Sequence, residues 1–138
     1  MIVVDTGPLV AIANRGDPDH QRCVAWYEAA SGPLLLPAPI LTEVCCLLER
    51  EVGPRAEASF LRTVRDGDLL LEGPTTSDLD RMAELVEVYA DLPLGAADAA
   101  VVAVAERLRV RAIATLDTRH FSVVRPRYLS SFDLVPAP

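Results

Sequence analysis

The sequence contains no lysine, because all 13 of its basic residues are arginines. Several common catalytic sites depend on a lysine. P-loop nucleotide sites use one to hold phosphate, pyridoxal phosphate is bound to one as a Schiff base, and protein kinases carry one on an early strand. The chain is therefore incompatible with these three classes of enzyme.

Cysteine is also scarce, and the three cysteines are Cys23, Cys45 and Cys46. An odd number, with two neighbours that would close only a strained ring, argues against a disulfide framework and fits a reducing compartment. The paired ligand spacing of zinc sites is missing, and neither His20 nor His120 lies at a suitable offset from the cysteines. We expect neither structural disulfides nor a zinc site.

Long apolar segments are missing as well. The apolar run at 96–105 is interrupted by Asp98 and falls short of the roughly 20 residues that a membrane helix needs. The amino terminus lacks the basic region and the apolar stretch of a signal peptide. A chain of 138 residues that is 51% hydrophobic has the size of one domain. We expect a single domain over residues 1–138, located in the cytoplasm and without a membrane segment.

The order of apolar runs and turn residues predicts alternating strands and helices. Short apolar runs predict strands at 1–5, 34–36, 69–72, 111–116 and 132–135. Helical spacing with start and stop signals predicts helices at about 9–13, 20–30, 40–51, 55–65, 77–89 and 96–108. This alternation predicts a parallel sheet covered by helices on both faces, with ligands at the carboxyl ends of the strands.

Four acidic residues lie where this pattern is informative. Asp5 and Asp117 each follow a predicted strand, and Glu43 and Asp98 fall in the predicted first turns of helices. A buried, isolated carboxylate is costly, so such groups are normally paired, protonated or bound to metal. Clustered carboxylates repel one another unless a hard divalent cation neutralises them, and Mg²⁺ or Mn²⁺ suits oxygen ligands. The pattern predicts a metal site that activates water against a phosphodiester.

Each acid also has a simpler interpretation. Asp5 and Glu43 are suited to helix capping, Asp98 to interaction with a helix dipole, and Asp117 to an Asx-turn. For any one of them alone we would favour capping, whereas four at one sheet edge favour a site. Two threonines near the acids, Thr6 and Thr115, are predicted either to support the ligands by hydrogen bonds or to be ordinary β-branched strand residues.

Charge is unevenly distributed along the chain. A net charge of −7 disfavours extended binding to a phosphate backbone. Between residues 107 and 127, however, there are six arginines and a single acid, Asp117. This segment is interpreted equally well as a basic face beside the metal site or as ordinary solvated arginines.

Four short segments together resemble one protein family. They are IVVDTG at 2–7, ILTEV at 40–44, LPLGAADA at 92–99 and ATLDTRHF at 114–121. In their order and context the sequence resembles PIN-domain proteins, and more narrowly the VapC-type toxins of bacterial toxin–antitoxin pairs. Gly7 and Pro8 depart from the residues more usual at those positions in the family.

The resemblance implies a fold, an activity and partners. The fold is a three-layer αβα sandwich with a parallel sheet of four to five strands. The activity is Mg²⁺- or Mn²⁺-dependent cleavage of RNA. The partners are a cognate antitoxin and a second copy of the chain, which would place two sites in one basic-rimmed groove.

The resemblance also assigns roles to particular residues. The implied metal ligands are Asp5, Glu43, Asp98 and Asp117. The candidate phosphate contacts are Arg107, Arg119, Arg125 and Arg127. His120 is expected to contact RNA or, in preference, to have a packing or hydrogen-bonding role. Asp91, another acid near the motif, is expected to lie close to the metal or, in preference, to be a helix-end or loop carboxylate.

Other classes fit less well. The triplet Asp5-Thr6-Gly7 also occurs in aspartic proteases, which are built of strands and turns rather than helices. Haloacid-dehalogenase phosphatases need a second aspartate at position 7 and a lysine, receiver domains need the lysine, and branched-DNA 5′-nucleases are longer. The alternative that stays open is a non-catalytic PIN-like scaffold that binds a protein or RNA.

Overall fold

A five-stranded sheet lies at the centre of the computed structural model, which describes all residues from 1 to 138. All pairings are parallel, and the strand order is β3-β2-β1-β4-β5. The strands are β1 (Ile2–Val4), β2 (Leu34–Pro37), β3 (Leu70–Glu72), β4 (Ala112–Ala114) and β5 (Asp133–Val135). The first strand of the chain is therefore the middle strand of the sheet.

Seven helices flank the sheet. They are α1 (Thr6–Ala13), α2 (His20–Ala29), α3 (Ala38–Glu51), α4 (Pro54–Arg65), α5 (Thr76–Val88), α6 (Ala96–Leu108) and α7 (Thr118–Val123). The predicted three-layer αβα sandwich with four to five parallel strands is confirmed. No helix combines the length and the apolar character needed to cross a bilayer.

Helix α6 forms the middle of the core. Its residues from 99 to 105 are all alanine or valine and all buried, which is why the helix is apolar on every side. It packs on α5 and also contacts β1, β2 and α3. The position of α6 between these elements fixes Asp98, in its first turn, close to the end of β1.

Strand register brings the ends of β1 and β4 to the same edge. Val4 pairs with Ala114, so Asp5 and Thr115 are the next residues on the two strands. The backbone N–H of Asp5 donates to the carbonyl of Ala114 at 2.8 Å, and that of Thr115 donates to Val135 at 2.8 Å. Asp5 and Thr115, which follow the two central strands, are therefore fixed by backbone hydrogen bonds to the neighbouring strands.

Three local predictions were wrong. Helix α1 begins at Thr6 rather than at about residue 9, so Gly7 and Pro8 belong to its first turn. Helix α3 begins at Ala38, with Pro39 inside it, which moves Glu43 from the first turn to the second. In both cases proline is tolerated because the first N–H groups of a helix have no partner within the helix. Helix α7 was not predicted at all.

Candidate metal centre

Asp5 is a buried carboxylate whose side chain is held by the neighbouring strand. Only 6% of the residue is exposed, and Oδ2 accepts a hydrogen bond from Thr115 Oγ1 at 2.8 Å. Asp5 occupies the N-cap position of α1, but its side chain makes no capping hydrogen bond. The simpler interpretation, in which Asp5 serves to cap a helix, is therefore not the one that the structure adopts.

Burial raises the pKa of Asp5 to about 6, well above its ordinary value. The hydrogen bond from Thr115 and the Thr6 backbone N–H lower this pKa, while the negative charges of Asp98 and Glu43 raise it further. The last two effects mean that three acids from β1, α3 and α6 act on one another through space. A cation bound at this edge would offset these effects and favour the ionised form of Asp5.

Thr115 connects Asp5 to Asp117. Its hydroxyl donates to Asp5 and accepts a hydrogen bond from the Asp117 backbone N–H at 2.9 Å. Asp117 in turn begins α7, where its Oδ1 accepts from the backbone N–H of His120 at 3.1 Å. Thr115 thus hydrogen-bonds both acidic residues, and its role in supporting metal ligands stays a prediction. Asp117 caps α7.

His120 lies between two of the acids. Its Nδ1 contacts Asp117 Oδ2 in a short hydrogen bond and is 3.7 Å from Asp98 Oδ2. Burial raises the pKa of Asp98, the charge of His120 and the Gly95 backbone lower it, and the charges of Asp117 and Glu43 raise it. Of the two roles considered for His120, the structure shows hydrogen bonding.

Glu43 and Thr6 complete the surroundings. Glu43 is exposed on the second turn of α3, from which its charge acts on Asp5 and Asp98. The hydroxyl of Thr6 is buried and has no hydrogen-bond partner. The four acids therefore share one end of the sheet, but no three acidic, histidine or cysteine side chains are arranged to hold a common ion.

Two of the arginines predicted to contact phosphate lie elsewhere. Arg107 is nine residues beyond Asp98 on α6, about 14 Å along the helix axis, and it pairs with Asp78 at 2.9 Å. Arg127 pairs with Glu84 at 3.1 Å. Both belong to the opposite end of α6 from the acids.

The other two candidate arginines are exposed and make no ion pair. Arg119 lies in α7, directly before His120, so it is the candidate closest to Asp117 in sequence. Arg125 follows α7, and its backbone N–H donates to the Tyr89 hydroxyl at 3.0 Å. Asp91 is exposed between α5 and α6 and makes no ion pair.

A parallel sheet in this strand order, with acids after β1 and β4 and on the two helices beside them, is typical of the PIN class of α/β proteins. The PIN domain family matches residues 2–125. The chain belongs to this family.

Individual relatives and solved structures are similar to this chain as well. The chain is 33% identical over 135 residues to ribonuclease VapC26 of Mycobacterium tuberculosis, covering 98% of this chain and 100% of the relative. In structure it resembles M. tuberculosis VapC20, a toxin that cleaves the sarcin-ricin loop, with a TM-score of 0.78 and 21% identity over 82% of this chain and 87% of the other. It also resembles FitAcB of Neisseria gonorrhoeae, with a TM-score of 0.58 and 19% identity over 88% and 91% of the two chains.

Proposed function

We propose that this protein is a divalent-metal-dependent endoribonuclease of the VapC type, and that it is the toxin of a toxin–antitoxin pair. The observation that carries the proposal is the state of Asp5. This carboxylate is buried at the carboxyl end of the central strand, and its pKa is raised to about 6 by burial and by the charges of Asp98 and Glu43. Such a group is stable as an anion when a cation shares its site.

The donors have the chemistry that a hard divalent ion requires, although no three of them converge on one point in this structure. The residues that would hold it are Asp5, Glu43, Asp98 and Asp117, and all of them offer carboxylate oxygens, which Mg²⁺ and Mn²⁺ prefer. When bound, such an ion lowers the pKa of water and neutralises charge on the scissile phosphate. The same chemistry does not require histidine as a ligand.

Residues around the acids have separate tasks in this proposal. Thr115 fixes the orientation of Asp5 and the backbone of Asp117. His120 holds the Asp117 carboxylate from the other side. The unpartnered hydroxyl of Thr6 is a donor next to Asp5 that is available to a water or a phosphate oxygen. Exposed Arg119 is the candidate for a phosphate contact at this edge.

The relatives support RNA as the substrate. One is a ribonuclease that matches nearly the whole chain, and one fold neighbour is a toxin that cleaves an RNA loop. By the same reasoning we propose a cognate antitoxin as the partner that restrains the activity, a homodimer as the assembly and the cytoplasm as the location. Chromatography with light scattering of the purified chain tests the dimer directly.

The test is cleavage of RNA by purified protein in Mg²⁺ and in EDTA. Asp5→Asn and Asp98→Asn are expected to abolish the Mg²⁺-dependent products while the protein stays folded. Asp91→Asn is the matched control, since it removes an exposed acid from the loop before α6 and should cleave as the wild type does. If wild-type protein cuts no RNA and the aspartate variants inhibit growth as strongly as the wild type, the non-catalytic scaffold is the correct interpretation.

A further inference from the structure

A second polar concavity lies at the end of α6 opposite Asp98. Its volume is about 810 Å³, and four of the chain's arginines line it. They are Arg81, Arg107, Arg109 and Arg127, which we call the arginine pocket. Three of them lie in the arginine-rich segment at 107–127, and Arg107 and Arg127 were predicted to contact phosphate at the metal site.

Two buried acids orient the arginines of this pocket. Glu106 accepts two hydrogen bonds from Arg81, at 2.7 and 3.1 Å, and Asp78 accepts one from Arg107 at 2.9 Å. The Glu106 and Asp78 side chains are only 8% and 5% exposed. Their oxygens therefore face inward, and the guanidinium groups are positioned before any ligand arrives.

Arg109 combines an unusual backbone conformation with an unpaired side chain. It ends α6 in the left-handed conformation, at φ 54°, and it is the only residue other than glycine with positive φ. Glycine would adopt this conformation without strain and is the usual residue there. Here the position carries an exposed arginine whose guanidinium makes no hydrogen bond or ion pair. Residues held in sparsely populated backbone conformations cluster at functional sites, and this one carries an unpaired charged group at the rim of a concavity.

One guanidinium group of the pocket, that of Arg109, has no carboxylate partner. The other three are paired: Arg81 with Glu106 and Glu84, Arg107 with Asp78, and Arg127 with Glu84. Planar guanidinium groups match the paired oxygens of phosphate, and those of Arg107 and Arg127 retain nitrogens that bind no acid.

We propose that the arginine pocket binds backbone phosphates of the RNA substrate, at a distance from the metal site. This inference depends on the proposed function for its choice of ligand. An RNA chain is long enough to contact both ends of α6, which lie about 14 Å apart between Asp98 and Arg107. The pocket would therefore add affinity through phosphates that are not cleaved.

The test measures RNA binding in EDTA, where no cleavage takes place. Arg109→Gly removes the unpaired charge and relieves the backbone strain, so it should melt at the same or a higher temperature. It should also bind single-stranded RNA about fivefold more weakly at 0.1 M salt, with a salt slope smaller by about 0.7. Arg109→Lys should recover part of the affinity.

Arg62→Ala is the matched control, because Arg62 is an exposed, unpaired arginine on α4 outside the pocket. It should leave both the affinity and the salt slope unchanged. Equal RNA binding by Arg109→Gly and the wild type would overturn the proposal, and so would Arg109-dependent binding of polyglutamate but not of RNA. If the wild type binds RNA through Arg109 but cuts none in Mg²⁺, the nuclease assignment fails and the arginine pocket stands.

Discussion

Thr115 Oγ1 donates a hydrogen bond to Asp5 Oδ2 at 2.8 Å and so joins two side chains that are 110 residues apart in sequence. The bond links the carboxyl ends of β1 and β4 directly. Because the same hydroxyl accepts from the Asp117 backbone, one threonine determines the positions of two of the four acids. The stability of this edge and the arrangement of the metal centre are therefore expected to change together.

Replacing Thr115 by valine should destabilise the protein. The substitution keeps the shape but leaves a buried carboxylate without its donor and a backbone N–H without its acceptor, at a cost of about 1–3 kcal/mol. Urea unfolding measures the loss, and Thr115→Ser, which retains the hydroxyl, should recover most of it. A valine variant as stable as the wild type would show that the hydroxyl contributes nothing to the fold.

The stability of metal-free protein should fall as pH rises from about 4 to about 6. The pKa of Asp5 is raised from 3.8 to about 6 on folding. In this window the folded chain keeps the proton that the unfolded chain has lost, so the stabilising effect is complete at low pH and disappears above the folded pKa. The shift corresponds to roughly 3 kcal/mol.

Asp5→Asn isolates this effect. The amide still accepts from Thr115 but does not ionise, so the variant should be at least as stable as the wild type at pH 7 in EDTA. The difference in unfolding free energy between the two proteins, measured from pH 4 to 8, should grow up to about pH 6 and then level off. A constant difference across that range would mean that Asp5 titrates normally.

Magnesium should stabilise the wild type and not the variants that lack a ligand. A bound ion adds about 2.7 kcal/mol to the unfolding free energy at a concentration 100 times its dissociation constant. Thermal melts with and without MgCl₂ should therefore show an increase in Tm for the wild type and for Asp91→Asn, and little or none for Asp98→Asn. Equal increases in all three proteins would place the ion elsewhere.

The pair between Arg81 and Glu106 should contribute strongly to stability because it is buried. Their side chains are 13% and 8% exposed, and the pair joins α5 to α6. Removing one partner of a buried ion pair typically costs about 3–5 kcal/mol, so Arg81→Ala should lower the stability by that order. Arg65→Ala is the control, since Arg65 and Asp66 are 67% and 56% exposed and such pairs contribute about 0–1 kcal/mol. Similar losses of stability in the two variants would show that burial does not distinguish these ion pairs.

The sequence was most informative where one residue interrupts an apolar pattern. Asp5 and Asp117 could be placed at strand ends because the apolar runs before them stop abruptly, and Asp98 because it is the only acid early in α6. Parallel pairing then required Asp5 and Asp117 to lie at one edge, as they do. Their role as metal ligands, together with that of Glu43, stays a prediction.

Other features depend on tertiary contacts that local patterns do not contain. Arg107 belongs to the arginine pocket because α5 packs on α6 and brings Asp78 into contact with it. No local sequence pattern around either residue predicts this contact. The left-handed conformation of Arg109 contradicts the usual preference for glycine. The start of α3 was missed because Pro39 is a helix breaker in the interior but acceptable in the first turn.

The position of β1 in the middle of the sheet has a consequence during synthesis. The ribosome makes this strand long before one of its two partners, β4, which consists of residues 112–114. A nascent or prematurely terminated chain that ends before β4 leaves Asp5 without Thr115 and Asp117. The ribosome that translates the message is therefore not exposed to an assembled acid cluster until the segment that carries Thr115 and Asp117 has emerged.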